Sequence, residues 1–160
     1  MNTSNPESGG EHLVDGPDVR AWLVREDHDD PGRLDADDAT RVRGARDGLR
    51  RAIIAADLSA LDHALAGASL TVRFEEGGTR LAPTGTGVER IVSWLAATIH
   101  DAVLDGSWPR LKACANPHCR WVTFDRSKNA SGTWCSMTAC GARARARAYR
   151  ARQKEHGRET

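Results

Sequence analysis

Cys114-Ala-Asn-Pro-His-Cys119 and Cys135-Ser-Met-Thr-Ala-Cys140, separated by fifteen residues, decide how this chain folds. Each pair supplies two sulfurs from one tight turn, and Asn116-Pro117 favours a turn in the first. The insertion is long enough to form a hairpin that brings the pairs together. Four soft thiolates so arranged suit a tetrahedral metal, with zinc first in order. Four protein ligands fill the coordination sphere, so the centre reads as structural rather than catalytic. Two disulfides and an iron–sulfur cluster are the alternatives. The lack of an apolar export signal in Met1–Gly10 counts against the first, and the cysteine spacing against the second. His118 could replace one thiolate, but with four cysteines present it is expected near the metal or at the surface.

The residues around the cysteines extend this picture. Trp121, Val122 and Phe124 are expected to form a strand, and Thr133 and Trp134 the strand returning to the third cysteine. Lys128-Asn129-Ala130-Ser131-Gly132 supplies the turn between them. Trp121 and Trp134 are expected to shield the metal in a module too small for an ordinary core, with base stacking as the rival role. After Cys140 comes Gly141-Ala-Arg-Ala-Arg-Ala-Arg-Ala-Tyr-Arg-Ala-Arg152, a run of strong helix formers. On a helix, Arg143, Arg147, Arg150 and Lys154 share one face, with Arg145 and Arg152 nearly opposite. Ala142, Ala146 and Tyr149 lie between them and are expected to pack on the metal module.

Charge divides the chain at the same place. The 160 residues carry a net charge of +1. Residues 1–109 contribute 11 Arg against 19 Asp and Glu, a net of −8, and residues 110–160 contribute 12 Lys and Arg against 3 acidic residues, a net of +9. All four cysteines lie in the basic part. Such asymmetry points to a polyanion-facing module joined to an acidic one. Leu, Ile, Val and Phe number only 27, about 17% of the chain, so the core must be small. No apolar run approaches the ~20 residues of a membrane span.

The acidic part reads as a helical scaffold. Residues 1–16, rich in Gly, Ser, Asn and Glu, are expected to be disordered. Pro17 opens a short helix with Val19, Trp22 and Leu23. Asp35, Asp37 or Asp38 caps a second, whose Val42, Ala45, Leu49, Ala52, Ile53 and Ala56 form an apolar stripe with arginines on the other face. Leu58, Leu61 and Leu65 mark a third. Leu70, Val72 and Phe74 alternate ahead of Gly77-Gly78, which predicts a β-hairpin. Thr86 and Glu89 have capping-box spacing before the stripe Val88, Ile91, Val92, Leu95, Ile99 and Val103. His63 and His100 lack ligand-spaced partners, the carboxylates of 26–38 lack the calcium-loop pattern, and no phosphate loop or nucleophile elbow is present. No enzyme constellation assembles.

The C-terminal segment resembles the CGNR-type zinc finger. The resemblance runs through Leu111-Lys112-x-Cys114, Cys119, Trp121, Phe124-Asp125-Arg126-Ser127-x-Asn129 and Trp134-Cys135-Ser136-Met137 to Cys140-Gly141. The signature Cys-Gly-Asn-Arg is here Cys140-Gly141-Ala142-Arg143, so any role of the asparagine side chain is absent or moved. In that family the finger follows a domain called ABATE, and residues 18–109 resemble it in arrangement. The resemblance implies a bacterial, mainly α protein with small β-hairpins, an α+β fold. A helical ABATE-like domain at 17–109 precedes a treble-clef-like hairpin-and-helix finger at 110–154, followed by a disordered tail at 155–160. It implies Zn2+ held by Cys114, Cys119, Cys135 and Cys140, and a cytoplasmic regulator of transcription. Arg126, Lys128, Arg143, Arg145, Arg147, Arg150 and Arg152 are the candidate contacts to double-stranded DNA at the nucleoid. The first domain would form a homodimer, bind an effector or touch the transcription machinery. The alternatives are a protein-interaction adaptor and an RNA-binding zinc protein.

Overall fold

The computed structural model describes residues 2–5 and 9–156. Its N-terminal half is built on the helices α1 (Gly16–Arg25), α2 (Ala36–Ala55), α3 (Leu58–Ala64) and α4 (Gly87–Leu104). Sequence chemistry fixes their starts. Asp15 caps α1 and Asp35 caps α2, and in each case the carboxylate of the aspartate three residues on accepts from the cap's backbone N–H, completing a capping box. Asp57 caps α3 through Ala60 N–H. Thr86 starts α4 as expected but makes no side-chain cap bond. Leu13, Val19, Leu23, Leu34, Ala39 and Val42 make the core, with Trp22, Val88 and Ile91 packed against it.

Two β-hairpins flank these helices. The first pairs β1 (Ser4–Asn5) with β2 (Gly10–Glu11). The second, as alternation predicts, pairs β3 (Leu70–Glu75) with β4 (Gly78–Pro83), Glu75 opposite Gly78 and Leu70 opposite Pro83. Its outward face is apolar at the tip, where Phe74 is 85% exposed. The expected stripe on α4 is buried at Val92 but exposed at Val103.

The N-terminal segment departs from expectation. Residues 2–5 and 9–16 are part of the fold, whereas Met1 and residues 6–8 lie outside the described residues. Leu13 is 2% exposed in the main core, and burying one such side chain contributes about 1.5–3 kcal/mol. A second cause lies in α2, where Arg46 and Arg50 face inward instead of solvent. Arg46 donates to Thr3 Oγ1 at 3.0 Å and to Glu11 Oε1 at 2.8 Å, so polar residues of the segment are tied down by a buried cation. Composition registers neither the single leucine nor its charged partner.

The C-terminal module follows a 3-10 turn at Trp108–Arg110. Strand β5 (Leu111–Ala113) pairs antiparallel with β6 (Val122–Phe124), Ala113 opposite Val122. Thr133 and Trp134 were expected to be the returning strand. They are not, because β5 already occupies that edge of β6, and Thr133 reaches the module through its carbonyl, which accepts from Ala115 N–H at 2.9 Å. A π-turn at Met137–Gly141 leads into α5 (Ala142–His156). The helix backbone therefore continues into the expected tail, whose residues 157–160 lie outside the described residues.

Candidate metal centre and basic helix

The turn after β5 and the π-turn before α5 bring the sulfurs of Cys114, Cys119, Cys135 and Cys140 all within 4.8 Å of one another. Cys119 Sγ and Cys135 Sγ are 3.5 Å apart, and Cys135 Sγ and Cys140 Sγ 3.6 Å. No disulfide joins them, since a disulfide needs sulfurs about 2.05 Å apart. A tetrahedron with zinc–sulfur bonds of about 2.3 Å has edges of about 3.8 Å, so the cluster has the size of a zinc site. Burial, together with hydrogen bonds from the other three thiols, pushes the Cys135 thiol far up. Four thiolates share so small a volume only around a cation.

The local sequence builds this cluster in recognisable steps. In the first turn Asn116 C=O accepts from Cys119 N–H at 2.9 Å, the turn expected from Asn116-Pro117. The Asn116 side chain is 2% exposed and points Nδ2 at Cys140 Sγ, 3.6 Å away, linking the two cysteine pairs. Arg120 then takes a left-handed backbone, φ 52°, and returns the chain into β6. In the second pair Ser136 caps the π-turn through Ala139 N–H. Trp134 packs on the cysteines, as expected of a shield. Trp121 is 38% exposed and contributes its backbone, accepting from Cys114 N–H at 2.7 Å. His118 is exposed and is not in the cluster.

The loop between the pairs has its own centre. Asp125 accepts from the backbone N–H of Ser127 at 3.0 Å and of Gly132 at 2.6 Å, and from Lys112 Nζ at 3.0 Å. A Cβ at position 132 would stand 2.9 Å from the Asp125 carboxylate, so only glycine lets that N–H approach. Ser127, Lys112 and Gly132 hold the Asp125 carboxyl well below the usual carboxylate range. Asp125 and Lys112 lie in the segments that carry the family resemblance, but as residues that tie the loop shut rather than as candidate contacts.

Of the candidate nucleic-acid contacts, Arg126 and Lys128 are exposed on this loop. Arg143, Arg145, Arg147, Arg150 and Arg152 are exposed along α5. The expected packing of Ala146 and Tyr149 on the metal module does not occur. The helix is anchored at its start, by the buried Cys140 and Gly141, while the Ala146 and Tyr149 side chains are exposed. A helix polar on all sides gains little from its own protein and needs another source of stability.

Among the described residues, specific ties hold the finger to the N-terminal half. Asn2 Oδ1 accepts from Val122 N–H at 3.0 Å, and Asn2 Nδ2 donates to Val122 C=O at 2.7 Å. Arg50 donates to Arg120 C=O at 3.1 Å and to Ser4 Oγ at 2.7 Å. Helix α2 also packs on β5. The sequence gives no signal for Asn2. Arg50 belongs to the α2 arginines expected to face solvent.

Two family models match the chain. One, described as "Putative stress-induced transcription regulator" and called ABATE, matches residues 1–107. The other, the CGNR zinc finger, matches residues 110–153. The ABATE match begins at residue 1 and so includes the segment that packs Leu13 and Glu11. No curated protein matches the chain. Zinc is the cofactor of this finger, and the sulfur cluster has the donors and size for it. Among the described residues no helix is long and apolar enough to cross a membrane.

Proposed function

The chain belongs to the ABATE family and carries a CGNR zinc finger, and from this premise we propose that it binds duplex DNA through the basic helix of the finger in transcription control. Cys114, Cys119, Cys135 and Cys140 hold Zn2+ as thiolates. The metal supplies rigidity, fixing the start of α5 where a module of this size has no core to do so. The observation that supports the reading is α5 itself: an arginine-laden helix, anchored at one end and exposed along the rest. Arginines on two sides of a thin, alanine-rich helix suit phosphates flanking a groove, and an arginine reaching a guanine edge adds selectivity. Arg126 and Lys128 contribute phosphate contacts from the loop. The acidic N-terminal domain serves as the part that dimerises, senses a ligand or meets the transcription machinery, in a protein acting at the nucleoid.

A salt titration of duplex binding tests this. Binding should weaken with a log–log slope of about −0.9 per phosphate neutralised. Replacing Arg143, Arg147 and Arg150 with Ala should lower affinity and flatten the slope by about 1 per arginine removed, with zinc content unchanged. Unchanged affinity in the triple variant, or no duplex binding at low salt, would refute the DNA reading. Retained capture of an acidic protein partner would then favour an adaptor, and quenching of Trp121 by single strands an RNA-binding role.

A further inference from the structure

We propose that the cleft where α2 and the N-terminal hairpin meet the first cysteine turn binds a small phosphate-class oxyanion, bridging the N-terminal domain and the finger. The cleft has a volume of about 380 Å³, and Ser4, Gly10, Arg50, Arg51 and Arg120 line it. Three guanidiniums from two domains therefore face one space. Glu11 and Asp47 line it too, but their carboxylates are already engaged by Arg46, at 2.8 and 2.9 Å. With Arg46 included, four guanidiniums meet two carboxylates here among the described residues.

Arg50 makes the imbalance costly. It is only 9% exposed. Among the described residues it has no carboxylate within 4.0 Å, and its hydrogen bonds go to the neutral Ser4 hydroxyl and Arg120 carbonyl. Burial and the nearby Arg46 and Arg120 charges hold its guanidinium below its ordinary value, outweighing Asp47 and Glu11, which favour its charge from a distance; a buried charge without a direct partner is costly. The guanidinium fork retains donors beyond those two bonds and matches the geometry of a tetrahedral oxyanion. Arg51 and Arg120, both exposed, close the same space from its rim, and neither has an ion pair among the described residues. The cleft is concave and Arg50 lies deep in it, so a free anion reaches it where the backbone of a duplex does not. Because Arg50 also holds the Arg120 carbonyl, an anion bound there ties the N-terminal domain to the finger. This site is independent of whether α5 binds DNA.

The test is calorimetric titration of full-length, zinc-loaded protein with inorganic phosphate at constant ionic strength, with chloride as the matched control. One saturable equivalent is expected. R51Q and R120Q should each weaken it about tenfold, the loss expected of one charge-assisted hydrogen bond, with zinc and helix content unchanged. Both positions are exposed, so the test does not depend on a variant at Arg50. The triple alanine variant at Arg143, Arg147 and Arg150 should bind phosphate as the wild type does. Non-saturable binding equal to chloride would overturn the proposal. So would phosphate binding lost in the α5 variant but kept in R51Q and R120Q, or R120Q losing duplex affinity while keeping phosphate binding.

Discussion

Asn116 shows how much one side chain contributes beyond its place in a turn. Its backbone shapes the first cysteine pair, and its buried amide donates to the sulfur of the second. Groups that bond a metal's ligands from behind typically change affinity 10–100-fold when removed. N116A should therefore lower zinc affinity by about that factor in chelator competition, while the wild-type fold persists at saturating zinc. An unchanged affinity would show the contact to be incidental. The turn was legible from Asn116-Pro117 and the metal set from cysteine spacing alone. The amide's reach to Cys140 was not, because it links residues 24 apart in sequence. The same holds for Asp125, whose partners Lys112 and Gly132 come from both sides of the loop.

Helix α2 carries two glycines that look equivalent in the sequence but differ in the fold. At Gly48 an added Cβ would stand 2.3 Å from Ala64 Cβ and 2.8 Å from the Ala60 carbonyl oxygen, because α3 packs directly on it. At Gly44 nothing lies within 4 Å. Alanine gains about 1 kcal/mol of helix propensity at either site. At Gly44 that gain should appear as higher stability. At Gly48 overpacking costs about 1–3 kcal/mol and can be relieved only by moving the α3 backbone, so G48A should be net destabilising. Denaturant melts of the two zinc-loaded variants check this, and a stabilised G48A would mean that α3 is free to shift. Helical periodicity placed α2, α3 and α4, and alternation placed β3 and β4. The partner of β6 was missed because three-residue strands carry too little pattern to choose between Leu111–Ala113 and Thr133–Trp134.

Across the molecule, the charge division seen in the sequence hides ion pairs made within the acidic part. Glu11 makes one of them, with Arg46. Burial pushes its carboxyl up, but the Arg46 hydrogen bond, the Leu13 N–H and the Arg46 charge outweigh this and hold it below its ordinary value of 4.5. The folded state therefore prefers the ionised form. Glu11 stabilises the protein above pH 4.5, and that contribution is lost as pH falls through the lowered folded value. E11Q should cost about 1–3 kcal/mol at neutral pH, reduced from a fully buried pair by the partial exposure of Glu11. The difference from wild type should vanish in acid. Zinc release at low pH affects both proteins alike, so comparing their melts across pH isolates this pair, and a difference constant with pH would refute it. The charge asymmetry itself was legible from counting. The inward turn of Arg46 and Arg50 was not, because arginines on a helix surface and arginines buried by an N-terminal strap have the same spacing.

The hold of Asn2 on Val122 has a consequence for any part of this protein handled separately. Val122 directs its N–H and C=O away from β5, and an asparagine amide satisfies both in place of a neighbouring strand. Cut away from the first residues, a finger beginning near Leu111 would present that pair to solvent as an open sheet edge, beside the exposed Phe124. Such an edge is a template for pairing with another chain. Self-association of an isolated finger would then report the missing Asn2, not an oligomeric state of the whole protein.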